Sequence, residues 1–293
     1  MASVQMRAVA VALRLTRKRA MATPERARRR LAAPKGPSTP PAALGRRHEV
    51  TVREVGGFRC TTVAPRDRPA TRGAVYLHGG AYVSAIAAQH WALVSLLADA
   101  GVRVEVPHYG LTPEHTYREA YPFVETVYRE LLEAVAAGDV TLAGDSAGGG
   151  LALGLAQTLA GAGLPQPRRI VLLSPWLDLT LSHPDLPAVE RHDPWLDSTG
   201  LRVAAAAWAG GDDPTDPRLS PGGGPLAGLA PVHLYVGTRE ICLPDSLALG
   251  ERARTEGAPV EVTVCEGAVH VYPLVPAPEG RAARRQIVRE IAG

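Results

Sequence analysis

The sequence predicts an α/β fold built on a mostly parallel central sheet of about eight strands. Three observations carry this expectation. Short apolar runs alternate along the chain with longer helical stretches, the arrangement of βαβ units. Those runs lack polar alternation, as strands covered on both faces do. Near the start, Gly56-Gly57 separates two β-rich segments, which signals a hairpin.

Taken in order, residues 2–13 are small and apolar, interrupted by Arg7 and followed by a basic stretch from Arg14 to Arg19. A secretory signal carries its charge before the apolar run, so a cytoplasmic location is expected. The segment reads as an amphipathic helix with Val4, Val11 and Leu15 near one face. Such a helix is expected to pack over an active site in preference to resting on a membrane. Residues 32–45, with Pro34, Pro37, Pro40 and Pro41, read as a linker. The hairpin strands fall at about 49–55 and 58–64. Further strands are predicted at Ala74–Leu77, Val102–Val106, Val140–Ala143, Ile170–Leu173, Val232–Val236 and Val260–Val264. Helices are predicted near 89–100, 117–136, 147–161, 243–257 and 281–292. Residues 178–230 hold no convincing strand and only one helical stretch, around 201–209. An interval of that length between strands is read as an insertion.

Composition narrows the function classes. At 293 residues, with 46% hydrophobic and 21% charged residues, the chain suits one soluble domain, with or without an inserted cap. Residues 1–35 carry ten Lys/Arg and one acidic residue, so the remainder is acidic on balance. That basic segment has no aromatic residue to stack on a base, and no nucleic-acid partner is expected. No apolar run approaches the roughly 18 residues a membrane span needs. The three cysteines, Cys60, Cys242 and Cys265, lack metal-ligand spacing and read as buried thiols of a reducing compartment.

Residues 144–148 read Gly-Asp-Ser-Ala-Gly, the pattern G-x-S-x-G. A predicted strand ends at Ala143 and a small-residue helix starts just after Ser146, which is the strand–turn–helix context of a nucleophile elbow. Glycines flank the serine because so tight a turn leaves no room for side chains there. A phosphate-binding glycine turn would want a lysine, and the chain has only Lys18 and Lys35. His78-Gly79-Gly80 follows another strand, and the N–H groups of Gly79 and Gly80, with that of Ala147, are expected to bind an oxyanion. A serine hydroxyl needs a base, and His270, after the last predicted strand, is expected to be that base. The acid that orients the imidazole should follow the strand Val232–Val236. Glu240, four residues past that strand, is preferred over Asp245, which could equally begin a helix.

With these residues in place, the chain resembles the hormone-sensitive-lipase-like α/β hydrolases, a group of carboxylesterases and acetyl-hydrolases. The resemblance runs from about residue 70 to the C-terminus. It rests on HGGAY at 78–82, YGLTPEH at 109–115, GDSAGG at 144–149, SPWLDL at 174–179, HDPWL at 192–196, DPRLSP at 216–221 and Val269-His270. It implies Ser146 as nucleophile, His270 as base, Glu240 as acid, and Gly79, Gly80 and Ala147 as oxyanion donors. It also implies a helical cap formed by residues 1–45 and about 180–225, over a catalytic domain of residues 46–293. The sequence departs from the family's usual pattern at Ala81, at His108-Tyr109-Gly110 and at Pro244. Expected activity is cleavage of short- to medium-chain acyl or acetyl esters without metal or organic cofactor. N-acetyl amides and lactones remain alternative substrates, and ligand binding on a hydrolase scaffold is the alternative from another class. The expected partner is a small-molecule acyl substrate, with a possible homodimer. Trp195 and Trp208 are candidate pocket residues.

Overall fold

The computed structural model describes residues 2–293. Three helices come first: α1 (Val4–Thr16), α2 (Pro24–Ala32) and α3 (Ala42–Arg47). The hairpin β1 (Glu49–Val55) and β2 (Phe58–Ala64) then turns through Gly56 and Gly57, both at positive φ, the backbone that a two-residue hairpin turn requires. After it come β3 (Arg72–Leu77), α4 (Ala88–Asp99), β4 (Val102–Pro107), α5 (Tyr117–Ala134), β5 (Val140–Asp145) and α6 (Ser146–Thr158). The chain continues through β6 (Arg169–Leu173), α7 (Leu186–Glu190), α8 (Ser198–Ala209), β7 (Val232–Arg239), α9 (Leu243–Glu256), β8 (Val260–Val269) and α10 (Pro278–Ala292).

The eight strands form one sheet in the order β1-β2-β4-β3-β5-β6-β7-β8. β2 is antiparallel to both of its neighbours, and the pairs from β4 to β8 are parallel. Strand side chains alternate between two cores. Val75 and Leu77 of β3 join the core on one face, with residues of α5, α6, α8 and α9. Ala74 and Tyr76 join the other, with α1, α4 and α10. This double coverage explains why the strand runs read as continuously apolar.

Two strands run further than their apolar cores predicted. Beyond Val236 and Val264 the pairing continues, with Gly237 opposite Cys265 and, after a register shift, Arg239 opposite Val269. Glu240 therefore lies one residue past its strand, not four, and His270 directly follows β8. The shared register brings the two side by side.

Residues 178–230 hold α7 and α8. Helix α2 packs on α8, burying Ala27 and Leu31. Met21, just ahead of α2, comes so close that a methyl group on Gly200 would lie 2.3 Å from its Cβ. Lys18 ties the same two segments by donating to the carbonyls of Glu190 and Leu196. Helix α1 goes elsewhere. Met6 and Ala10 bury against the face formed with β8 and α10, while Val4, Val11 and Leu15 point to solvent. The face expected to pack inward is thus the outer one. Cys60 and Cys242 are buried, whereas Cys265 is only half-buried. Among the described residues, no helix is long and apolar enough to cross a membrane.

Candidate active site

Ser146 sits between β5 and α6 at a φ of 51°, a strained conformation that lifts its side chain out of the sheet's end. The flanking glycines are required by contact. A methyl group on Gly144 would lie 2.3 Å from the Gly148 carbonyl oxygen, and one on Gly148 would lie 2.1 Å from that of Leu77. The turn is pinned from outside as well. Trp176 N–H donates to the Ser146 carbonyl at 2.9 Å, and the Tyr82 hydroxyl donates to that of Ala147 at 2.8 Å.

The structure brings Ser146, His270 and Glu240 together. His270 Nε2 is 2.9 Å from Ser146 Oγ, and His270 Nδ1 is 2.6 Å from Glu240 Oε2. A carboxylate only accepts, so Nδ1 carries the proton and Nε2 is left as acceptor for the serine hydroxyl. Glu240 is completely buried, and its other oxygen accepts from Gly237 N–H at 2.6 Å and from the Ser174 hydroxyl at 2.7 Å. Ser174 in turn accepts from Val271 N–H at 2.9 Å, bracing the acid and the histidine loop through one hydroxyl. Burial lowers the basicity of His270, but the charge and hydrogen bond of Glu240, assisted by Asp193 and Asp145, outweigh it and hold the imidazole above its ordinary value of 6.5.

Asp245 does not reach the imidazole. It lies in the first turn of α9, where burial and then the charge of Asp178 push its carboxyl up to about 6.

The three expected oxyanion donors, Gly79, Gly80 and Ala147, differ in what their N–H groups meet. Gly79 N–H donates to Asp145 Oδ1 at 2.9 Å and is spent on that bond. Gly79 is where the turn presses on the nucleophile, since a methyl there would lie 2.3 Å from Asp145 Oδ2 and 3.0 Å from Ser146 Cβ. Among the described residues, no protein acceptor takes the N–H of Gly80, Ala81 or Ala147. Ala81 and Tyr82 follow Gly80 at φ of 56° and 60°, so the turn is held in a conformation that ordinary residues seldom adopt.

Sequence reasoning gave no role to three residues that brace this site. Asp145, the variable position of G-x-S-x-G, accepts from Tyr76 at 2.6 Å as well as from Gly79, and lies 3.3 Å from His90 Nε2. Burial raises its carboxyl, but His90, Tyr76 and Gly79 more than compensate and hold it below the usual range. Ser174 is the acid's second support. Asp193, from the segment between β6 and β7, accepts from Ile241 N–H at 2.9 Å, next to Glu240. Each lies inside a motif already singled out, but a motif does not say which carboxylate faces inward. Trp195 stands edge-on to the imidazole at 5.7 Å, while Trp208 is buried core, stacked 4.0 Å from Tyr82. The altered triplet is accommodated too. His108 bonds Thr61 at 2.8 Å, and the missing side chain at Gly110 leaves room for the His115 ring.

Glu240, Cys242 and His270 are the one group among the described residues whose donor atoms lie close enough together, within 4.8 Å, to hold a metal ion. Two of the three already bond each other as an acid–base pair, and burial pushes the Cys242 thiol well above its ordinary value, so the group reads as a triad pair with a thiol packed against it.

Comparison with known proteins places this geometry. The family model of the alpha/beta hydrolase fold matches residues 74–274. An acetyl-hydrolase of Streptomyces hygroscopicus is 39% identical over 218 residues, covering 72% of each chain. An esterase of Acinetobacter venetianus is 34% identical over 224 residues, covering 74% of each. Among solved structures, an esterase from the bacterial hormone-sensitive lipase family is 27% identical with a TM-score of 0.82, covering 100% of this chain and 99% of that one. The chain belongs to the α/β-hydrolase-fold family, among its hormone-sensitive-lipase-like members, and is an ester hydrolase.

Proposed function

We propose that this hydrolase cleaves acetyl and other short- to medium-chain acyl esters through Ser146, His270 and Glu240. The observation that carries the reading is the unbroken hydrogen-bonded line from Ser146 Oγ through the imidazole to a buried carboxylate. As the serine oxygen attacks the ester carbonyl carbon, His270 Nε2 takes its proton and Glu240 stabilises the imidazolium. The carbonyl oxygen becomes negative and is received by the N–H groups of Gly80, Ala81 and Ala147, the last at the N-terminal end of α6. His270 then returns the proton to the leaving alcohol, and an acyl-serine remains. Water, deprotonated by the same nitrogen, attacks that ester, and the acid departs as the serine proton is restored.

Of residues 1–45, Lys18 and α2 act with about 180–225 as the cap of this site, a reading supported by the packing of α2 on α8 and by the ties of Lys18, whereas α1 packs on β8 and α10. Acetyl transfer to water is favoured by the acetyl-hydrolase relative, whose match spans most of both chains.

The test is hydrolysis of p-nitrophenyl acetate, butyrate and octanoate by wild type and Ser146→Ala. Turnover is expected to fall by about 10⁴-fold or more in the variant. Equal rates in the two proteins would remove Ser146 as nucleophile. A rate that peaks at octanoate rather than acetate would overturn the short-chain assignment.

A further inference from the structure

Helix α1 is seated with an apolar face outward. Its inner face buries Met6 and Ala10, yet Val4, Val11 and Leu15 are 69%, 60% and 76% exposed. Among the described residues only seven large hydrophobic side chains are exposed, and three of them fall on this one helix. They share a stripe with exposed Ala8, because positions 4, 8, 11 and 15 repeat at helical spacing. The stripe cannot fold back onto the domain. The helix start is fixed by Ser3, whose N–H and hydroxyl donate to Glu279 at 2.6 and 2.8 Å.

The charge beside the stripe has one sign. Arg7 and Arg14 lie four residues before and three after Val11, flanking it, and Arg17 and Arg19 carry the positive edge past the helix end. All four are exposed, and no acidic residue precedes Glu25 in the chain. Among the described residues, none of the four side chains makes an ion pair.

We propose that this face is a docking surface for an anionic lipid bilayer. The helix lies in the headgroup plane, with Val4, Val11 and Leu15 at the acyl boundary and the arginines on lipid phosphates. The charge selects this occupant. A two-fold contact between copies through the same face would set arginine flanks against each other with no carboxylate on α1 to neutralise them. An anionic surface supplies the missing negative charge and takes up the apolar stripe together.

The experiment is co-sedimentation of the full chain with extruded vesicles, either equimolar phosphatidylcholine and phosphatidylglycerol or phosphatidylcholine alone, at low and high salt. Binding is expected on the anionic vesicles at low salt, weakened by high salt and by omission of the anionic lipid. The double variant Val11→Asp/Leu15→Asp should lose binding altogether, and Arg7→Gln/Arg14→Gln should weaken it by about tenfold or more. All four positions are exposed, and none has a side-chain hydrogen bond or ion pair to a residue of the site, so circular dichroism and p-nitrophenyl ester turnover should be unchanged and report intact folding. Three results would overturn the proposal. One is absence of binding by the wild type at low salt, and another is undiminished binding by Val11→Asp/Leu15→Asp. The third is concentration-dependent self-association, abolished by that variant, without vesicle binding, which would give the face to a second copy.

Discussion

Glu240 and Asp245 lie five residues apart in the sequence, and only Glu240 reaches the imidazole. The two carboxyls live under opposite rules. Glu240 is paired with His270 and accepts from Gly237 and Ser174, whereas Asp245 is partly buried beside Asp178 and is held at about 6 instead of 3.8. The contrast makes a paired prediction. His270 must be neutral to take the serine proton, and its value lies above 6.5, so ester turnover rises with pH through that raised value. Glu240→Gln removes the main charge that offsets burial. Its acid limb should move to lower pH, and kcat should fall by about 10³–10⁴-fold. Asp245→Asn should leave turnover within about twofold of wild type, since Asp245 holds no triad bond. It should also change the pH dependence of stability. A carboxyl titrating at about 6 when folded and 3.8 otherwise disfavours folding as pH rises through that window. The Asn variant should therefore be more stable by about 1–2 kcal/mol above the window and gain nothing below it. Rate–pH profiles and denaturant titrations check both arms. An Asp245→Asn enzyme as impaired as Glu240→Gln would reverse the assignment of the acid.

At the scale of elements, the β5–α6 turn was legible because its constraint is local. A close backbone crossing leaves no room for a Cβ at Gly144 or Gly148, and such a constraint leaves a pattern in sequence. Gly148→Ala should force β3 and α6 apart. It should cost about 2–4 kcal/mol and abolish ester turnover, because Ala147 moves with the turn. A melting temperature within a degree of wild type would show that the crossing has slack. The oxyanion turn was less legible for the converse reason. Three consecutive N–H groups follow His78, and which of them are spent depends on Asp145, which is 66 residues away in sequence. Strand ends were misjudged because apolar content marks burial, not pairing. Gly237 to Arg239 pair with β8 although they are not an apolar run. Helix α1 shows the same limit. Val4, Val11 and Leu15 suggested the inner face, but Met6 and Ala10, with Val9 and Leu13 partly buried beside them, pack on the side of α10 and β8.

Across the whole molecule, the acid loop is held from two sides. Gly237 and Ser174 reach Glu240 from the ends of β7 and β6, and Asp193 reaches Ile241 from the inserted segment. Asp193 also accepts from Trp195 and Leu196 N–H, at 2.7 and 2.9 Å, so one buried carboxylate joins the insertion to the catalytic loop. Burial pushes that carboxyl above its ordinary range, even though His270 and these three donors oppose the shift. Asp193→Ala should leave three N–H groups without an acceptor, lowering stability by about 1–3 kcal/mol and kcat by about 10–100-fold. Since Asp193 also supports the raised value of His270, the acid limb of the rate profile should move down in pH. A loss of stability with an unmoved acid limb and unchanged kcat would confine Asp193 to holding the insertion.

The sequence by itself determined the alternation of strands and helices, the hairpin, the elbow at Ser146, the histidine after the last strand and the preference for Glu240. Each rests on local sterics or on the order of elements along the chain, and both are written in one dimension. The tertiary structure alone decided which turn N–H groups stay unspent, which carboxylate faces the imidazole, how Asp145, Ser174 and Asp193 brace the site, and which side of α1 meets water. These depend on partners brought together from distant segments, and pairing through space depends on packing volume and register that no single segment encodes.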